Sequence, residues 1–310
     1  MPESGLGQRQ LHVPVMVQEV LSLLVHDPNG TYVDCTLGCG GHAAAILGKL
    51  SHQGRLIGLD KDRDSVLVAN EKLKAFGDRV FLFDRDSRDL PEILNGLGIE
   101  SISGVLLDLG ISSHQLDSER GFSFARTSAL DMRFDSRSGV TAAEFLNTCG
   151  EEELTETLRL YGDVTSARRL ARAVVEFRKR RPLATSLDLV SAVKSAVLSS
   201  NPNRCLARVF QSVRIRVNDE IGALREGLVR ASGSLGLEGR LCVISYHSGE
   251  DRIVKQFMKS DVSFGDGRVE RLELLTQGVL RPTQEEIFHN TRARSARLRA
   301  ARRTGHEQIP

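Results

Sequence analysis

The sequence predicts an α/β fold in which a domain built on a parallel sheet is interrupted by a helical domain. Three observations predict it. Short apolar runs alternate with helix-length runs up to residue 109, and such alternation implies right-handed βαβ units. The alternation stops after Gly110, gives way to helical periodicity over 141–200, and resumes from Asn218. Closely spaced glycines follow the first apolar strand-like run, and an acid closes the second.

Taken in order, Val13, Val17, Val20, Leu21 and Leu24 recur at helical spacing and predict an amphipathic helix ahead of the first strand. Strands are read near 31–37, 54–60, 79–85 and 104–109, with helices near 41–50, 62–75 and 88–97. Asp62 is placed to cap its helix and Gly77 to stop it. Residues 111–140 carry short motifs rich in Ser, Asp, Arg and Gly in place of periodicity. Helices follow over Ala142–Phe145, Leu154–Tyr161, Ala167–Arg181 and Leu187–Leu198, and Arg181-Pro182 ends one of them because the residue before proline avoids the α region. Asn218 is expected to cap a helix running to about Ala231, and Gly239–Ser245 to form an apolar strand. Ser248-Gly-Glu-Asp251 reads as a capping-box start to the next helix. The last strand falls within 293–302, where an arginine-decorated edge would resist edge-to-edge aggregation. Residues 1–118 and 211–310 are thus expected to form one discontinuous domain, with 119–210 as a helical insertion that recognises substrate.

Chemistry enters with Asp34-Cys-Thr-Leu-Gly38-Cys-Gly40-Gly41-His42 and with Asp60, 20 residues after Gly40. Glycines let backbone N–H groups approach a ligand, and the acid accepts hydrogen bonds from both ribose hydroxyls, which marks a Rossmann-like site for an adenosine-containing cofactor. The glycine spacing alone also satisfies the loose dinucleotide pattern. Two details favour S-adenosylmethionine. A carboxylate at Asp34 suits an ammonium and a sulfonium and would repel a pyrophosphate. His42 and its neighbours fill the place where that pyrophosphate would rest.

Ligands in open α/β sheets bind beyond the carboxyl ends of the strands, which gathers Gly38–His42, Asp60, Asp86 and Asp108 around one crevice. Asp86 is placed to bond the adenine amine, with a charged turn as the alternative. Asp108 ends the fourth strand, where a carboxylate and a nearby carbonyl would bond an exocyclic amine, localise its lone pair and take up the surplus proton. His247, in Ser245-Tyr-His-Ser248, is a second candidate proton acceptor, with a hydrogen-bonded structural role as the alternative. Cys35-x-x-x-Cys39-x-x-His42 lacks a fourth ligand, so no metal is predicted.

Composition narrows the class. In 310 residues the hydrophobic share is 40% and the charged share 26%, ordinary for a soluble globular protein. Five scattered cysteines without a CxxC pair, and no apolar run near membrane-spanning length, make the cytoplasm the default and a membrane partner unexpected. The net charge of +2 hides an asymmetry: residues 1–118 carry 10 Lys+Arg against 16 Asp+Glu, whereas 119–217 carry 17 against 11. That is the balance of a cofactor domain joined to a polyanion-binding surface. Arg168, Arg169, Arg172, Arg178, Lys179, Arg180 and Arg181 crowd the stretch from Ser166 to Arg181, and Arg204, Arg208, Arg214 and Arg216 follow. Arg168, Arg169, Arg172 and Arg214 are the phosphate-contact candidates within this set, a solvated helix face being the alternative. Arg120, Phe122, Phe124 and Arg133 are placed to stack on and anchor a splayed-out base; the two phenylalanines read equally well as core.

His12-Val-Pro-Val-Met16, Asp34-x-Thr-x-Gly-x-Gly-Gly-His42, Leu107-Asp-Leu-Gly110, Ser112-Ser-x-Gln-Leu-Asp117, Arg120-Gly-Phe-Ser-Phe124 and Leu130-Asp-Met-Arg133 occur in this order. Phe210-Gln-x-x-Arg-Ile215, Val217-Asn218, Ser245-x-His-Ser248, Glu250-Asp-Arg252 and Arg292-x-Arg-Ser-Ala296 follow them. Over residues 10–303 the chain therefore resembles the RsmH (MraW) family of bacterial small-subunit ribosomal RNA cytosine-N4-methyltransferases. The resemblance implies a methyltransferase domain with a helical insertion, and contact of Gly40, Gly41, His42, Asp60, Asp86, Asp108 and Gln115 with S-adenosylmethionine. It also implies a cytosine in the decoding region of 16S ribosomal RNA, methylated within a near-complete small subunit. Two positions depart from the family: Asp86 stands where an aromatic residue is common, and His114 replaces a frequent proline. A non-catalytic ribosome assembly factor remains the alternative of a different class. A DNA amino-methyltransferase would show Asp/Asn-Pro-Pro and an aromatic residue in place of Asp108-Leu-Gly110. The oligomeric state, a homodimer included, is left open.

Overall fold

A computed structural model describes residues 14–197 and 201–305. His12, Val13 and Leu198, each part of a segment predicted above, lie outside the described residues, as do the chain ends assigned to the discontinuous domain. The chain divides into two units, one formed by residues up to Asp60, Asp64–Ser112 and Leu228 onward, the other by Lys61–Arg63 and Ser113–Gly227. All of residues 119–210 fall in the second unit.

In the first unit, short β-rich runs build β1 (Thr31–Asp34), β2 (Arg55–Leu59), β3 (Val80–Phe83), β4 (Ile102–Asp108) and β5 (Leu235–Ser245). β6 (Asp261–Ser263) and β7 (Val269–Arg271) form a separate antiparallel pair, while β8 (Glu273–Leu274) and β9 (Arg297–Arg302) extend the main sheet. The sheet order is β3-β2-β1-β4-β5-β9-β8, with the first five strands mutually parallel. The order reverses between β1 and β4, so their carboxyl ends flank the switch point where open α/β sheets take ligands. β9 runs antiparallel to β5 and is paired on its other side by β8. The predicted arginine-bearing edge is therefore an inner strand. The edge on that side is the two-residue β8, too short to template another chain.

One continuous apolar core joins Val20, Leu21 and Leu24 of the helix Val17–Leu24, Tyr32 of β1, Ile46 and Leu47 of the helix Gly41–Leu47, and Leu106, Ile244 and Leu298 of the sheet. The first predicted strand is shorter than read: it stops at Asp34, and residues 35–40 turn toward the helix Gly41–Leu47. The helix Ser248–Phe257 is capped one residue earlier than read. His247 is the cap, accepting from Glu250 N, while Glu250 accepts from the Tyr246 and His247 amides.

The second unit is helical, with Ala142–Thr148, Glu151–Gly162, Ala167–Arg180, Ser186–Lys194 and Pro202–Asn218, and it runs into the helix Glu220–Gly233. Capping boxes at Thr141/Glu144 and Thr185/Asp188 set two of the starts. Pro202–Asn218 is a helix the sequence reading lacks, and it overturns the role given to Asn218. That residue ends this helix instead of capping the next, with Asp219 turning the chain at φ 48°. Its amide then pins a loop, accepting from Phe134 N at 2.7 Å and donating to the Met132 carbonyl at 2.7 Å. Among the described residues no helix is long and apolar enough to cross a membrane.

Candidate active site

The turn after β1 is built by its own side chains. Asp34 Oδ1 accepts from Thr36 N at 3.1 Å and from the Thr36 hydroxyl, and Thr36 Oγ1 accepts from Asp108 N at 2.6 Å. These bonds tie the end of β1 to the end of β4. Gly38 (φ +49°) and Gly40 (φ +74°) then hold left-handed backbone that disfavours any side chain. A Cβ on Gly40 would lie 3.2 Å from Ala69 Cβ, so this glycine lets the turn seat on the helix Arg63–Leu73. A Cβ on Gly38 would meet nothing nearer than 3.9 Å among the described residues, which leaves open space beside Thr36 and Ser112. Gly38 N donates to Asp60 Oδ2 at 2.8 Å, so the carboxylate closing β2 is fastened to the glycine turn.

Asp108, at the end of β4, accepts from the Tyr246 hydroxyl at 2.8 Å through Oδ1 and faces His42 Nδ1 at 3.5 Å through Oδ2. His42 Nε2 lies 2.8 Å from the Val15 carbonyl oxygen. Burial pushes the Asp108 carboxyl up to about 7, against the bond from Tyr246, which lowers it. Burial also lifts Asp34 to about 6 and lowers the His42 imidazole, and it raises the Tyr246 phenol with the Asp108 charge adding to it. Two carboxyls lifted toward neutrality beside an imidazole mark a candidate site for proton chemistry. Asp34 is only 1% exposed and turned to Thr36.

The remaining residues singled out in the first unit have local partners. Asp86 caps the short helical turn Ser87–Asp89 and pairs with Arg88 at 3.0 Å. His247 caps the helix Ser248–Phe257, with Nε2 3.1 Å from Glu250 Oε1.

In the second unit Gln115 is buried and donates to Asp62 Oδ2 at 3.1 Å. Arg120 binds the same oxygen at 2.5 Å and also donates to the Phe134 carbonyl. Arg133 chelates Asp131, and Arg214 chelates Glu220 at 2.7 and 2.9 Å. Phe122 stacks on Phe134 and Phe124 packs edge-on to Phe210, the core alternative for both rings. Arg168, Arg169 and Arg172 differ from these arginines. They lie on the exposed side of the helix Ala167–Arg180, whose opposite stripe of Ala167, Leu170, Ala171 and Val174 is buried. Arg172 reaches Glu151 at 3.4 Å across that exposed surface.

Tyr246, Thr36 and Asp62 carry much of this geometry, and the sequence reading gives none of them a part in the site. Each holds a singled-out residue from a distant point in the chain, whereas the sequence shows Thr36 and Tyr246 only inside motifs and Asp62 only as a helix cap. A glycine turn with an open face, an acid fastened to it at the end of β2 and a carboxylate at the switch point suit a sulfonium-bearing nucleoside cofactor.

The sequence pattern of the MraW methylase family matches residues 9–304. A protein of Heliobacterium mobile named ribosomal RNA small subunit methyltransferase H is 42% identical over 307 residues, covering 94% of this chain and 98% of that protein. Proteins of the same name from Syntrophotalea carbinolica and Thermotoga neapolitana are 44% and 46% identical, each covering 94% of this chain and 98% and 95% of their own lengths.

Proposed function

The chain belongs to the MraW methylase family, a methyltransferase family, and from that premise we propose that it methylates the exocyclic N4 of a cytosine in the decoding region of small-subunit ribosomal RNA. S-adenosylmethionine supplies an electrophilic methyl on a sulfonium. The observation that carries the reading is the placing of Asp108: a carboxylate at the end of β4, beside the glycine turn, oriented by Tyr246 and with its proton affinity raised to about 7.

The roles follow from chemistry. Gly38, Gly40 and Gly41 let backbone approach the cofactor, with His42 completing the turn, and Asp60 accepts from its ribose. Asp86 lies at the adenine end and Gln115 completes the contacts carried over from the family. A cytosine amine is a poor nucleophile because its lone pair is delocalised into the ring. Asp108 accepts one of its N–H bonds, localises that lone pair and takes the proton released when nitrogen gains the methyl group. His247 is the second candidate for that proton. Phosphates are held by the second unit's exposed Arg168, Arg169 and Arg172, which position RNA without reading sequence. Arg120, Arg133 and Arg214 act on RNA through the loops and helix they brace.

The test is transfer of labelled methyl from S-adenosylmethionine to small ribosomal subunits lacking the modification, with the product mapped by mass spectrometry. N4-methylcytosine at a single site is expected. Cofactor binding without incorporation would favour the assembly-factor alternative.

A further inference from the structure

His42 sits in the family's glycine motif, yet its ring is buried. Its two nitrogens face unlike partners. The Val15 carbonyl oxygen accepts only, so Nε2, 2.8 Å away, carries the ring proton. In the neutral ring Nδ1 is then a bare lone pair, and it faces Asp108 Oδ2 at 3.5 Å. Two acceptors opposed in a site with side chains only 6% and 16% exposed repel each other unless a proton stands between them. The carboxylate has little freedom to turn aside, because its other oxygen is held by the Tyr246 hydroxyl.

We propose that His42 and Asp108 act as one base: the pair accepts a single proton between Asp108 Oδ2 and His42 Nδ1, and His42 is the positioning residue that makes Asp108 basic enough to receive it. This rests on the amine-methylation reading above. In the step it serves, the amine lone pair forms the nitrogen–carbon bond as the carbon–sulfur bond breaks, with that electron pair left on sulfur. Nitrogen, now cationic, loses one proton to the Asp108 carboxylate. His42 Nδ1 shares that proton by hydrogen bond, and the pair later releases it to water. The opposed lone pairs of the resting pair are what the arriving proton relieves, so the two groups titrate together.

The surroundings agree with a single shared proton. His42 is faced by Asp34 and Glu286, which favour its charged form, and by Lys72, which opposes it; burial outweighs them and lowers its affinity. Asp108 is faced by Tyr246 and Glu250 besides His42, and burial raises it to about 7. The shared proton therefore rests nearer Asp108 than His42. The separation of 3.5 Å is longer than a formed hydrogen bond, as catalytic pairs are before the substrate complex tightens them.

The experiment is nitrogen-detected NMR of the full chain labelled with ¹⁵N-histidine, in the absence of cofactor and RNA, for wild type and Asp108→Asn. The wild type should show the neutral His42 ring as the Nε2–H tautomer, with an Nδ1 signal that titrates together with the Asp108 carboxyl. In Asp108→Asn that titration should move by about one pH unit or more. An Nδ1–H tautomer, or a titration indifferent to Asp108→Asn, would overturn the proposal. Alongside it, His42→Gln should shift the acidic limb of the methyl-transfer rate profile to lower pH, because the carboxylate loses the lone pair opposing it. An unshifted limb in a folded His42→Gln protein would also overturn it. Should the spectra hold while no RNA is methylated at any pH, the paired base stands and the amine-methylation reading falls.

Discussion

Two carboxylates of the first unit and three of the second live under opposite conditions. In the first unit Asp34 and Asp108 are lifted by burial to about 6 and about 7, with imidazole, hydroxyl and backbone groups as their partners. In the second unit, Asp131 and Asp188 also feel burial, which raises them, but the Arg133 bonds and the Ala184 and Thr185 amides win and hold them below the ordinary range. Asp135 is held down in the same way by Arg137. The lesson is one of division of labour. These acids of the second unit are fixed as anions and fasten loops and helix starts, whereas those at the β1 and β4 ends are near the point of changing charge, which is what proton transfer requires.

The largest expected break in that contrast is Asp108→Asn. It keeps the shape and the bond from Tyr246 but cannot accept a proton, and methyl transfer should fall by about 10²- to 10⁴-fold with melting temperature little changed. Wild-type turnover would remove Asp108 from the mechanism. In the second unit, Arg120→Met should instead cost stability. It removes the charged partner of the Asp62 carboxylate, 2% exposed, leaving the neutral Gln115 amide, and breaking such a buried ion pair costs about 3–5 kcal/mol in denaturant unfolding. A loss under about 1 kcal/mol would show the pair to be dispensable.

Asp34→Asn should move stability the other way. The folded-state affinity of Asp34 is above that of the unfolded carboxyl, so wild type loses stability as pH rises from about 4 to about 6 and stays lower above that window. Asparagine escapes that loss. The variant should be about 1–3 kcal/mol more stable than wild type at pH about 8, with the gain fading near pH 4. Unfolding curves at the two pH values decide it, and a variant less stable at both would mean the anion is required by Thr36. The smallest stability effect belongs to Arg168→Glu with Arg169→Glu, within about 0.5 kcal/mol for exposed positions. Affinity for RNA should nonetheless fall and the slope of log K against log salt should flatten by about one per lost contact. An unchanged slope would move the RNA surface elsewhere.

Much of the first unit was readable because its signals are local. Short apolar runs ending in Asp60 or Asp108, and glycines that need φ near +49° and +74°, announce strands and a turn within a few residues. Caps were less secure. Asn218 has the right chemistry for either end of a helix, and the basic run through Arg204, Arg208, Arg214 and Arg216 masked the apolar stripe of Leu206, Val209, Phe210 and Val213 beneath it. His247 took the cap position from Ser248 because its ring nitrogen reaches Glu250 N equally well. The pairings that give the candidate site its character were out of reach. Asp108 meets Tyr246 across 138 residues, and Asp62 meets Arg120 across 58, separations to which no periodicity is sensitive. The same blindness made Arg120 look like a free cation, whereas Arg133 and Arg214 are tied to carboxylates only two and six residues away.

The central claim is that Asp108 changes protonation during turnover, and the pH dependence of single-turnover methyl transfer tests it most directly. The rate should be full above neutrality and fall as pH drops through about 7, the value at which the buried carboxyl takes up its proton. A rate that holds level down to the ordinary aspartate range, near pH about 4, would contradict it.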